Sequence, residues 1–155
     1  MNYFLLKQDK RYSNTPSLKE VYKTIPYKNV NLLDEDKIED NNIIFVKADE
    51  DTEYLDILDT QIFLISEKLK KIIEKYDTNI IFKRICLIDK ERKNQNIYYL
   101  PIFREFEVLH EKSEFNLNKT IVKKIILDEK KIKNKKIFKI KESDKTLIVV
   151  RLDAA

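Results

Sequence analysis

The sequence predicts an α+β fold, a largely antiparallel or mixed sheet packed by one main amphipathic helix spanning about residues 66–76. Three observations predict it. Ile62-Phe63-Leu64-Ile65 is a short apolar run suited to a buried strand. Leu69, Ile72, Ile73 and Tyr76 then recur at helical spacing, with Lys68, Lys70, Lys71, Glu74 and Lys75 on the opposite face. Ile80–Ile88 and Ile97–Phe103 are rich in β-branched and aromatic residues, and the polar stretch Asp89–Asn96 between them reads as a hairpin loop. At 155 residues, one domain over positions 1–155 is expected, long enough to bury a core.

In chain order, Tyr3-Phe4-Leu5-Leu6 reads as a first strand. Ser13–Pro16 is a turn, and Ser17 is placed to cap a short helix carrying Leu18, Val21 and Tyr22, which Pro26 ends. Tyr27–Leu33 is irregular, and Asn42–Lys47 is a strand. Ser66 is the N-cap of the main helix, Glu67 complements the helix dipole, and Asp77-Thr78-Asn79 ends the pattern. Tyr98 and Tyr99 split between the two faces of their strand, so one ring belongs to the core. Phe106–His110 is expected to continue the second hairpin strand past a bend. Thr120–Leu127 fits strand or helix, and β-branching favours strand. Ile137–Ile140 pairs across Glu142–Lys145 with Thr146–Val150. The passage from Leu147–Val150 into Arg151–Ala155 echoes the passage from Ile62–Ile65 into the main helix. Its helix has no length, which predicts a fold truncated at the C-terminus.

Composition excludes several function classes. With no glycine there is no Walker loop, Rossmann fingerprint or nucleophile elbow, and turns are expected to place Asn and Asp in the left-handed region instead. Cys86 is the only cysteine, which excludes an intrachain disulfide and cysteine-cluster metal sites. No apolar run is long enough to cross a bilayer, and Met1–Leu6 is too short for a signal peptide, so a cytoplasmic protein is the simplest expectation.

Charge is uneven. Residues 34–59 hold two basic and eleven acidic residues, net −9, inside a chain of net charge +4. Such a segment either neutralises its own basic neighbours or presents a docking surface to a basic partner. Asp49, Glu50, Asp51, Glu53 and Asp56 are the candidate contact acids, with Tyr54 as an aromatic anchor. Lys119–Lys141 holds ten lysines but no arginine and only Phe138 as an aromatic. Base stacking and bidentate readout lack their usual residues, so a solvated face is favoured over a nucleic-acid patch.

Other chemistry is thin. His110 is the sole histidine, and Cys86 reads as a buried, unreactive thiol. Glu91-Arg92-Lys93 and Asp128-Glu129-Lys130 match an acid-x-Lys pattern used by some metal-dependent nucleases, although such triplets also arise by chance in so charged a chain. The carboxylates at 49–53 lack the spacing of a calcium loop. No cofactor, metal or catalytic residue is expected.

The order of several pieces resembles a bacterial immunity-protein family from polymorphic-toxin loci, long catalogued as a domain of unknown function. The pieces are Phe63–Leu69, Ile97–Ile102, Phe106–Leu109 running to Lys112-Ser113-Glu114, Ile126-Leu127-Asp128 and Lys136–Ile140. The likeness spans residues 60–150, and residues 1–59 are expected to vary with the partner. The resemblance implies a non-enzymatic cytoplasmic protein that binds and neutralises a cognate toxin. No specific nucleic acid and no membrane is expected as a partner. The resemblance also implies a helix and a further strand beyond the last strand seen here, and it supplies no binding residues.

Overall fold

A computed structural model describes residues 2–151. In chain order it contains β1 (Tyr3–Leu6), β2 (Ser17–Leu18), α1 (Val21–Thr24), β3 (Asn41–Lys47), β4 (Ile57–Leu58), β5 (Leu64–Ser66) and α2 (Glu67–Ile73). It continues with β6 (Ile81–Asp89), β7 (Asn94–Ile102), β8 (Glu105–Phe106), β9 (Glu114–Phe115), β10 (Val122–Lys124), α3 (Glu129–Ile132), β11 (Ile137–Ile140) and β12 (Ile148–Arg151). This is the expected α+β class, dominated by sheet. The chain forms two compact units, Lys7–Ile102 and the described residues of Met1–Leu6 with Phe103–Ala155.

The Lys7–Ile102 unit is built on a six-stranded mixed sheet in the order β2-β3-β6-β7-β5-β4. The long hairpin β6–β7 runs in unbroken antiparallel register from Ile81↔Ile102 to Asp89↔Asn94. Its loop is four residues, shorter than the expected Asp89–Asn96. The Asp89 carboxylate accepts from the Glu91 and Arg92 amides and shapes the turn, which lets the ladder zip up to Asn94. β3 pairs parallel with β6 from Asn41↔Arg84 to Phe45↔Ile88. One sheet face is covered by the core around Val21, Ile25, Ile44, Leu64, Leu87 and Leu100. Tyr98 belongs to this core, and its hydroxyl donates to the Leu55 carbonyl at 2.7 Å, so a polar group is buried with a partner.

Ser66 does cap α2, accepting from the Leu69 amide at 3.2 Å. The helix itself is shorter than the predicted 66–76. The Lys75 and Tyr76 amides bond three residues back, to Ile72 and Ile73, so the last turn tightens and Tyr76 swings off the expected face. Ile73 is buried, Leu69 is half-buried, and Ile72 and Tyr76 are exposed. Lys70 shields the sheet in their place, its Nζ about 5 Å from the rings of both Phe82 and Tyr99.

Ser17 does not cap a helix. Ser17–Leu18 pairs with Val46 and Lys47 of β3. The Gln61 side chain fixes this edge, accepting from the Leu18 amide and donating to its carbonyl. α1 then starts after Glu20, which takes φ 51°.

In the second unit a four-stranded sheet runs β1-β12-β11-β8. The expected pairing of residues 137–140 with 146–150 is present as β11 and β12. β8 pairs parallel with β11 and does not extend β7. Thr120–Leu127 contributes β10 and a bridge from Leu127 to Leu109. A short helix, α3, follows with Asp128 as its cap. Phe138, Ile140, Val108 and Val149 centre the core of this unit. The helix start echoed at residues 152–155 lies outside the described residues.

Asn and Asp side chains shape several turns, but the left-handed positions are not filled chiefly by them. The described residues at positive φ are Glu20, Lys93, Lys119 and Asn134. Long unbranched side chains accept the left-handed region at about 1–2 kcal/mol each, a cost that surrounding structure absorbs.

Candidate functional site

The acidic segment divides into two parts whose acids are differently engaged. In the first, Glu35 and Asp40 both reach Lys83, at 2.8 Å each. Lys83 points to the core side of β6, in the same row as Ile85 and Leu87, and its side chain is 4% exposed. Burial works against the ammonium, but the hydrogen bonds it donates to Asp40 and Glu35 outweigh that and hold its pKa above the ordinary lysine value. Asp34 is likewise bound to Lys37 at 3.1 Å. Asp34, Glu35 and Asp40 thus each have a lysine partner, whereas Asp36 and Glu39 of the same stretch are exposed and in no ion pair among the described residues.

The second part is the loop that follows β3. The Asp49 carboxylate accepts from Asn14 Nδ2 at 2.8 Å and from the Asp51 amide at 2.9 Å. The Thr52 hydroxyl accepts from the Asp49 amide and donates to Asn14 Oδ1, and the Glu53 amide donates to the Asn14 carbonyl. The hydrogen bonds from Asn14 and Asp51 hold the Asp49 carboxyl below the usual range. Asp56 accepts from Ser66 Oγ at 2.6 Å and so braces the α2 cap. Glu50, Asp51 and Glu53 are exposed, and among the described residues no ion pair engages their carboxylates.

Tyr54 is half-buried and packs against the sheet core. Its hydroxyl is buried without a hydrogen-bond partner, and burial raises its pKa. Of the six sequence candidates, three carboxylates therefore face solvent unpaired, two shape the loop and its neighbour, and the aromatic is largely a packing residue. The hairpin turn buttresses the loop from the other side, with Arg92 donating to the Ala48 carbonyl at 2.7 Å.

The remaining candidates are placed as follows. Cys86 is buried, its thiol donating to Gln95 Oε1 at 3.4 Å. His110 belongs to the other unit, and its Nδ1 accepts from the Lys112 amide. Glu91 lies in the exposed hairpin turn, and Asp128 is occupied capping α3. Among the described residues no group of three His, Cys, Asp or Glu stands close enough to hold a metal ion. The lysine run is divided among β10, α3, β11 and their connections. Lys139 pairs with Glu105, Lys135 lies over the Phe106 ring, and Lys131 reaches the Leu109 carbonyl. Among the described residues no helix is long and apolar enough to cross a membrane.

Two features escaped the sequence reading. Lys83 falls within the expected Ile80–Ile88 strand, and a lysine in the inward register of such a strand signals a buried ion pair. Ile43 and Phe45 stand on the outward register of β3 and are 58% and 37% exposed. The signal was available, because Asn42–Lys47 carries apolar residues on both faces where a half-exposed strand alternates.

Compared with known proteins, residues 7–152 match the model of a family described as "Immunity protein family (Imm11)". No curated protein and no solved structure matches the chain.

Proposed function

Since this chain belongs to the Imm11 immunity protein family, we propose that it binds and neutralises a cognate bacterial toxin by protein–protein contact, in the cytoplasm and without chemistry of its own. The observation that carries the contact surface is the unpaired set Glu50, Asp51 and Glu53, held on a loop shaped by Asp49, Asn14 and Thr52. Toxin domains that attack nucleic acid are often basic, and a preformed negative surface both covers such a partner and accelerates encounter. Asp49 and Asp56 act in this reading by shaping the surface, and Tyr54 by packing its base. The lysines at 119–141 are spread over several elements, and any nucleic acid they bind is held weakly and released by salt.

The test is protection of cells that express the cognate toxin. Wild type is expected to protect. Replacing Glu50, Asp51 and Glu53 together by lysine is expected to slow association at least tenfold and flatten its salt dependence, with the fold intact by circular dichroism. A folded triple variant that protects as well as wild type, with unchanged association, refutes the acidic surface. Failure of the wild type to bind or protect refutes the toxin assignment.

A further inference from the structure

The outer face of the Lys7–Ile102 sheet carries an apolar patch beside the acidic loop. Strand register puts Ile43 level with Cys86 and Ile97, and Phe45 level with Ile88 and Gln95, all on one face. α2 packs on β5 and β7, and Lys70 covers Phe82 and Tyr99. The rows of Ile43 and Phe45 stay open. Ile43 is 58% exposed, Phe45 37%, and Ile88 and Ile97 are half-buried. In an antiparallel or mixed sheet with one solvated face, those positions are ordinarily polar.

The charges around the patch are ordered. Arg84 flanks it on one side, Lys47 stands on the same face of β3, and Lys90 Nζ lies 4.1 Å from the centre of the Phe45 ring. Asn41 and Gln95 are the neutral neighbours on the same face. Two residues beyond Lys47 the acidic loop begins. The hairpin turn joins the two areas, because Lys90 rests on Phe45 while Arg92 holds Ala48.

We propose that Ile43 and Phe45 are the apolar anchors of the same protein-binding surface whose acidic edge is Glu50, Asp51 and Glu53. This rests on the protein-binding reading above and assigns its centre. The occupant is a protein that presents an apolar contact, basic groups toward the loop and acidic groups toward Arg84 and Lys90. An apolar centre with a charged rim is the usual anatomy of a specific interface, and a rim of both signs fixes orientation. An anionic membrane would meet the cations but be repelled by the adjoining acids.

Anchors and steering charges separate kinetically, since anchors act on dissociation and rim charges on association. The probe is the purified cognate toxin, read by surface plasmon resonance. Ile43→Ser with Phe45→Ser is expected to raise the dissociation rate at least tenfold, with the association rate and its salt dependence within twofold of wild type. Ile43→Arg alone, at the most exposed position of the patch, is expected to show the same direction and guards against misfolding of the double variant. Unchanged dissociation in either folded variant overturns the proposal and leaves the acidic-loop reading standing. Absence of wild-type binding overturns both. Sedimentation of a dimer that the double variant abolishes overturns it in favour of a second copy. Pelleting with phosphatidylserine vesicles that the double variant abolishes overturns it in favour of a membrane.

Discussion

Asp34–Asp40 and Asp49–Asp56 hold five acids each, yet the fold pairs three of the first with lysines and leaves three of the second in solvent. The first stretch closes Glu35 and Asp40 onto a lysine buried in the sheet. The second leaves Glu50, Asp51 and Glu53 in solvent beside a loop scaffold made of Asp49, Asn14 and Thr52. A segment's net charge is therefore not a surface property. What decides its role is whether a counter-charge sits within hydrogen-bond reach, and that depends on a strand forty residues away.

The sharpest way to break the comparison is to remove the buried cation. Lys83→Ala leaves Glu35 and Asp40 facing an apolar wall, and it deletes packing from the inward row of β6. Breaking a buried pair costs about 3–5 kcal/mol, reduced here because Asp40 is 87% exposed and stays hydrated, so about 2–4 kcal/mol is expected in urea unfolding. Lysine reversal of Glu50, Asp51 and Glu53 is expected to shift the same measurement by no more than about 0.5 kcal/mol. Equal costs for the two changes would erase the distinction.

A gentler probe is alkaline pH. The fold holds the Lys83 ammonium above its ordinary pKa, so its stabilisation is complete below about pH 10 and is lost as pH rises through the folded value. Burial raises Tyr54 and Tyr98 as well, and for a phenol this also means stability lost as pH climbs past the free value. The Lys7–Ile102 unit is expected to keep a constant unfolding midpoint from pH 7 to 9 and to weaken steeply above about pH 10. Lys83→Met is expected to reduce that slope. An identical slope in the variant would mean the ion pair contributes nothing to it.

Legibility followed the range of the forces involved. The hairpin, the Ser66 cap and the pairing of β11 with β12 were readable, because each rests on periodicity or a neighbour within a few residues. The length of α2 was not, since it depends on a tightened last turn and on Lys70 lying over Phe82 and Tyr99. Ser17 misled because its strand is fixed by Gln61, far along the chain. The positive-φ residues misled for a different reason: Glu20 and Lys93 occupy positions where position in the turn, and not residue type, sets the backbone. At the candidate site the acids were visible as a composition shift. Their division into clamp and loop was not, because Lys83 pairs across the sheet and Asn14 reaches back from another segment.

The smallest expected effect lies inside the loop, where the comparison can be drawn between adjacent acids. Asp49 accepts from Asn14 and Asp51, while the Asp51 carboxylate is exposed and unpaired. The lowered pKa of Asp49 means the fold favours its carboxylate, so this contribution is present above the free aspartate value and is lost as pH falls through the folded one. Acidification below about pH 4 is then expected to loosen the loop before it unfolds the sheet. The same loosening is expected at neutral pH in Asp49→Ala, and not in Asp51→Ala. Hydrogen exchange at the Asp51 and Glu53 amides is the measurement, because the first donates to Asp49 and the second to the Asn14 carbonyl that the same network positions. Faster exchange at both amides in Asp49→Ala, with the β6–β7 hairpin unchanged, would establish the loop as a separately held platform. Equal protection in the two variants would mean that the turn is kept by Thr52 and Asn14 alone, and that Asp49 belongs with the solvent-facing acids.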